Sequence, residues 1–157
     1  MPEHFYSLKI EPYLSILFKL CRAYSDNQAD LDDLMQEVCL QVFISHKNFK
    51  GEASWSTWIY RVALNVCLTF NRDKKQTSQF DEIDLGEHQV SHSIEALDLL
   101  YKGLRKLQQV DRALLVMYLE GFSYEEIAAV VGGNANSLAV RVKRLKDKVA
   151  KELENND

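Results

Sequence analysis

The sequence predicts an all-α protein of two small helical domains joined by a linker, the C-terminal one a helix-turn-helix. Three observations carry this. Glycine and proline are scarce, 6 and 2 in 157 residues, whereas a sandwich or barrel needs many turns. Apolar residues recur at steps of three and four along most of the chain. From about Arg72 to Ser93 that periodicity fails and polar residues dominate, which reads as an interdomain linker. The length fits one domain or two very small ones, and a composition 46% hydrophobic and 27% charged excludes general disorder.

Each element follows in order. Tyr13, Ile16, Leu17 and Leu20 form a helical stripe that ends near Tyr24-Ser25-Asp26-Asn27. A second helix starts around Asp30, with Leu31, Leu34, Met35, Val38 and Val42 on one face and acids in its first turn. A third follows Lys50-Gly51-Glu52 and carries Trp55, Trp58, Ile59, Val62, Val66 and Phe70. After the linker, Ile94, Leu97, Leu100, Tyr101, Leu104 and Leu107 resume the pattern, then Ala113 to Leu119, closed by Gly121-Phe122. Ser123-Tyr124-Glu125-Glu126 is a capping box for a short helix that stops at Gly132-Gly133. Asn134 can cap the last helix, whose stripe is Leu138, Val142, Leu145 and Val149. The expected division is 1–75, linker 76–93, and 94–157, each half a compact bundle of modest independent stability.

Charge is polarised. The net charge is −4, which by itself disfavours a nucleic-acid partner. Yet Gln76 to Leu100 holds six acids and no Lys or Arg, while Asn136 to Lys151 holds six bases against Asp147 alone. Arg72-Asp73-Lys74-Lys75 makes a shorter basic knot. Such runs are commonly solvated faces; two basic elements about an acidic connector also fit contact with a polyanion at two places.

Several classes are disfavoured. No apolar run approaches the roughly 20 residues of a membrane span, and the N-terminus lacks the basic patch and cleavage site of a signal peptide. Neither membrane insertion nor a cofactor is expected, and the expected location is cytoplasmic. Cys21, Cys39 and Cys67 are scattered and odd in number, so they read as buried thiols, not a disulfide framework. His88 and His92 lack partners at ligand spacing. No glycine phosphate loop, nucleophile elbow or paired catalytic carboxylates can be made out, so an enzyme is not expected.

Phe122 to Lys148 is the most informative stretch. Ala128 permits two crossing helices to approach, and Gly132 supplies the turn. The second helix turns its apolar stripe inward and Asn136, Val140, Lys143 and Arg144 outward, which suits a major groove. A plain helical hairpin kept soluble by its bases is the alternative. In the first half, Trp55, Trp58, Tyr60, Arg61 and Asn65 cluster at a loop-to-helix junction. Aromatics stack on unpaired bases and Arg holds phosphates; equally, Trp55, Trp58 and Ile59 read as core by periodicity.

Together the pieces make one pattern. Asp30 to Val38, Phe49-Lys50-Gly51-Glu52 and Thr57 to Asn65 resemble the first conserved domain of extracytoplasmic-function sigma factors. Gly121 to Ala128 and the following helix resemble their second. The resemblance covers nearly the whole chain, in the right order and with a linker between. It implies a dissociable RNA polymerase subunit that recognises promoters and helps open them, with core RNA polymerase, promoter DNA and an anti-sigma factor as partners.

The resemblance also assigns positions. Asp33, Gln36 and Glu37 match the surface that binds the largest polymerase subunit. Trp58, Arg61 and Asn65, with Arg72, Lys74 and Lys75 along the same DNA, match the −10 element reader. Asn136, Ser137, Val140, Arg141, Lys143, Arg144 and Lys148 lie on the −35 reader. Trp55 stands where Phe is usual, and Ala139-Val140 replaces a commoner basic-Ser pair. The rival reading, a helix-turn-helix regulator that never joins polymerase, gives no reason for the Gln36-Glu37 and Trp58 to Asn65 pieces.

Overall fold

The computed structural model describes the backbone of residues 2–77 and 92–155, and the side chains of 3–73 and 95–155. Among the described residues every regular element is helical. A short helix α1 (Pro2–Phe5) runs into a π-helical turn at Tyr6–Ile10 and a 3₁₀ turn at Glu11–Tyr13, which Pro12 fits as a first-turn residue. Three longer helices follow: α2 (Leu14–Ala23), α3 (Gln28–Ser45) and α4 (Trp55–Thr77). The second half comprises α5 (His92–Arg105), α6 (Gln109–Leu119), α7 (Tyr124–Val131) and α8 (Ala135–Asn155).

The caps expected from the sequence are present, and others join them. The Ser123 hydroxyl accepts the Glu126 amide at 3.1 Å, and the Glu126 carboxylate accepts the Ser123 amide at 2.9 Å. Asn134 Oδ1 accepts the Ser137 amide at 2.9 Å. One of these is Asn27, whose Oδ1 accepts the Asp30 amide at 2.9 Å and so starts α3 two residues before Asp30. Gly132 and Gly133 sit at φ 91° and 85°, a region side chains resist, and this turn separates α7 from α8.

Helix α4 outlasts its apolar stripe. The last stripe residue is Phe70, yet the helix continues to Thr77, through Arg72, Lys74 and Lys75, which are good helix formers. The expected linker 76–93 thus loses its first two and last two residues to α4 and α5, and 78–91 lie outside the described residues.

In the first half, Leu17, Leu20 and Cys21 of α2 meet Leu34, Val38 and Val42 of α3 and Ile59, Ala63 and Cys67 of α4. In the second, α6 is buried from Ala113 through Met117 and lies among Leu104, Ile127, Leu138 and Val142. Each fully buried aliphatic side chain stabilises by about 1.5–3 kcal/mol.

The two halves are not separate bundles. They share one continuous core, with α2 packed on α6 and α4 on α7. Tyr24, 2% exposed, reaches from the end of α2 into the first turn of α6. Its hydroxyl accepts from the Ala113 amide (3.2 Å) and donates to the Gln109 carbonyl, the two groups a helix ordinarily joins directly. Arg105 and Arg112 in turn donate to the Arg22 and Ala23 carbonyls that end α2, at 3.2 and 3.4 Å. These satisfy orphan carbonyls and set positive charge at a negative helix end. Ion pairs Lys19–Glu120 and Arg22–Asp98 flank this contact. Tyr60 meets Phe122 edge-on at 5.5 Å, and burial pushes its phenol up to about 12.

Candidate nucleic-acid interface

Helix α3 presents its polar side as expected. Leu31, Leu34, Val38 and Val42 face the core, which leaves Asp33, Gln36 and Glu37 exposed on the opposite side. Gln41 Nε2 donates to Glu37 at 2.9 Å. The sequence reading missed that this helix also exposes Leu40, Phe43 and Ile44 towards its C-terminus. The signal was present: these residues fall outside the Leu34/Val38/Val42 stripe, and of the three Phe43 has ring contacts, with Phe5 at 5.6 Å and His46 at 5.7 Å.

The aromatic junction packs as a cluster against the core. Trp55 and Trp58 stack at 4.8 Å, and Phe49 approaches them at 5.2 and 5.6 Å. The Trp55 indole donates to the Lys9 carbonyl at 2.8 Å, so the N-terminal segment holds the cluster's rim. Ser54 Oγ accepts the Thr57 amide at 3.1 Å and starts α4. Trp58 is half-buried: part of it supports the packing and part reaches the surface.

Arg61, Asn65 and Arg72 follow one exposed face of α4 at helical steps. Arg61 is engaged there, its Nε donating to the Ala129 carbonyl of α7 at 2.6 Å. Asn65 lines a cleft of about 640 Å³ between α3 and α4, together with Asp33, Glu37, Val66 and Asp73. The structure thereby joins Asn65 to the acidic face. Arg72 lies 3.6 Å from Asp73. The side chains of Lys74 and Lys75, His88 and the side chain of His92 fall outside the described residues.

Helix α8 is laid out as its stripe requires. Leu138, Val142, Leu145 and Val149 are buried, while Asn136, Ser137, Lys143, Arg144 and Lys148 are exposed and Val140 is 62% exposed. Arg141 departs from a free basic flank. Its Nη2 lies 2.5 Å from Oδ1 of Asp111, a buried carboxylate in the first turn of α6.

The thiols lie where expected. Cys21 and Cys67 are fully buried with sulfurs 4.0 Å apart, and Cys39 is half-buried. The contact with Cys21, and burial, push the Cys67 thiol well up, away from the exposed, low-pKa setting of a reactive thiolate.

Comparison with known proteins gives the class. Residues 10–77 match Sigma-70 region 2, and residues 97–149 match Sigma-70, region 4. The ECF RNA polymerase sigma-E factor of Haemophilus influenzae is 22% identical over 142 residues, 80% of this chain and 75% of that protein. SigE of Mycolicibacterium smegmatis is 29% identical over 149 residues, 86% of this chain and 58% of the relative. Two solved structures share the fold: CnrH in complex with the cytosolic domain of CnrY, and RpoE with the anti-sigma factor NepR from Bartonella quintana. The first has TM-score 0.74 at 19% identity over 99% of this chain and 91% of that one. The second has TM-score 0.71 at 18% identity over 92% and 95%.

The chain belongs to the extracytoplasmic-function sigma factors. Its partners are RNA polymerase and promoter DNA, and sigma factors are transcription initiation factors. The reading as a regulator outside polymerase is set aside by the region 2 match, since a bare helix-turn-helix protein has no such region. Among the described residues no helix is long and apolar enough to cross a membrane.

Proposed function

We propose that three exposed faces divide the work. Asp33, Gln36 and Glu37 of α3 dock on core polymerase. Trp58, Arg61, Asn65 and Arg72, with Lys74 and Lys75, handle the −10 element, where aromatic stacking holds an unpaired base. On α8, Asn136, Ser137, Val140, Lys143, Arg144 and Lys148 handle the −35 element. Residues 1–75 and 94–157 act as the two working domains and 76–93 as the connector. The bond-making chemistry of transcription is the polymerase's, so the chain is not an enzyme, needs no cofactor and works in the cytoplasm. The two structural neighbours were solved with the cytosolic domain of CnrY and with the anti-sigma factor NepR, and we carry an anti-sigma factor over as a further partner of this chain.

The observation that carries this reading is the direct contact of α4 with α7, through Arg61 and Ala129. The −10 and −35 elements lie about 25 base pairs apart, which is about 85 Å at 3.4 Å per pair. Two readers that touch cannot both sit on such a site. The closed chain therefore stands for the free protein, and docking on polymerase opens it. The test is run-off transcription with core polymerase on the gene's own upstream region. Parent protein should support initiation, and Glu37→Lys should abolish it by weakening core binding while helicity stays intact. Equal core binding by Glu37→Lys would remove this face from the contact.

A further inference from the structure

Arg141 and Asp111 are the part of the helix-turn-helix that the assignment above leaves unused. Asp111 is a carboxylate only 8% exposed, and the Arg141 guanidinium closes on it at 2.5 Å. Around the pair a cleft of about 740 Å³ is lined by Gln108, Gly133, Ser137, Arg144 and Lys148. A buried carboxylate stripped of its counter-charge is strongly destabilising, whereas one phosphate contact at an exposed surface adds modestly. Arg141 is therefore poorly placed to leave Asp111 for DNA.

Beyond Arg141, α8 is held mainly by its aliphatic stripe, with two exposed polar contacts, Glu152 accepting from Lys106 at 2.6 Å and Lys146 donating to the Tyr118 hydroxyl at 3.4 Å, both on the far side of Arg144 from Val140. Leu138, Val142, Leu145 and Val149 are aliphatic side chains that tolerate small rotations of the helix about its axis. A rotation of about 20° moves a side-chain tip by about 2 Å on a helix 10–12 Å wide, enough to break a hydrogen bond to a base edge. The ion pair reaches a buried group and anchors α8 to α6 from the flank, one residue from Val140.

We propose that Arg141 is a positioning residue: held by Asp111, it fixes the rotation of α8 and so the alignment of Asn136, Val140 and Arg144 with the −35 bases. The inference rests on α8 being the −35 reader. It takes Arg141 out of the set of phosphate contacts that a charge-based reading of α8 gives.

The test is holoenzyme binding to a promoter fragment and to one with a scrambled −35 element, across a range of salt, for Asp111→Asn, Arg141→Ala and the double variant. Each single variant should lower the ratio of the two affinities about fivefold, with the salt slope changed by less than half a unit. The double variant should be no worse than either single one, as expected for two groups acting through one bond. Two results would overturn the inference. One is an Arg141→Ala protein that binds both fragments equally less, with its slope reduced by about one, the mark of a phosphate contact. The other is an unchanged ratio in variants of lowered melting temperature, the mark of stability alone. Should a variant fail to fold, Arg141→Lys keeps the charge and loses the planar fork, and it should show a lowered ratio at parental slope; a parental ratio would overturn the inference. Asn136→Ala and Arg144→Ala separate the premise from the inference: if neither lowers the ratio, α8 is not the reader at all.

Discussion

Helices α4 and α8 both face DNA in this account, yet they are built differently. The exposed side of α8 is polar or basic with Val140 among it, and its apolar stripe supplies most of its packing, with Arg141 pinned to Asp111 at the flank. On α4 the two tasks overlap: Trp58 belongs to an aromatic stack, and Arg61 holds the carbonyl of Ala129 in the opposite half. The face proposed for the −35 element is thus fully exposed in the closed chain. On the proposed reading, the −10 face is freed only when the halves part, which would tie melting of DNA to assembly with polymerase.

Paired substitutions break or sharpen that contrast. The largest effect is expected from Trp58→Ala, which removes a half-buried ring from the stack and should cost about 3 kcal/mol in urea unfolding. Val140→Ala, on the exposed face of α8, should stay within about 0.5 kcal/mol. Equal losses at the two positions would mean that α4 and α8 do not differ as described. Asn65→Ala, which disturbs no packed ring, should weaken permanganate footprints of the melted region with little change in stability.

Next in size is Tyr24→Phe. It takes away the hydroxyl joining the Ala113 amide to the Gln109 carbonyl and should cost about 1–2 kcal/mol. Because that bond crosses between the halves, the free chain should also expand in small-angle scattering. A destabilised chain of unchanged dimensions would place the loss within one half.

Smaller effects come from α7, the helix on which Arg61 rests. Ser123→Ala should cost about 1 kcal/mol by removing the cap. The Ser123 amide and hydroxyl hold the Glu126 carboxyl below its ordinary value. A carboxyl depressed on folding stabilises the fold above its unfolded pKa, about 4.3, and this contribution fades as pH falls through the lower folded value. Parent and Glu126→Gln should therefore converge in stability at acid pH. A gap that widens on acidification would contradict the assignment.

The helices, caps and recognition face were legible in the sequence because each is local. Ser123 with Glu126 and Asn134 with Ser137 are fixed by spacing, and a four-residue stripe suffices to orient α8. The joining of the halves was not legible. A stripe shows that a face is apolar without saying what covers it, and Tyr24 sat in what read as a helix terminus. One signal was there: Ala113 to Met117 is apolar on all sides, which a helix tolerates only when surrounded. The Arg141–Asp111 pair lay equally hidden, since thirty residues separate its members and charge counting treats every arginine of α8 alike.

The central claim is that the chain is closed when free and open when working. The most direct measurement is the distance between spectroscopic labels at Thr69 of α4 and Lys151 of α8, both exposed, taken in the free protein and in transcriptionally active holoenzyme. A single distance is expected in the free chain, lengthening on assembly by tens of ångströms, about the scale of the promoter spacing. A holoenzyme that initiates transcription with the distance unchanged would contradict it.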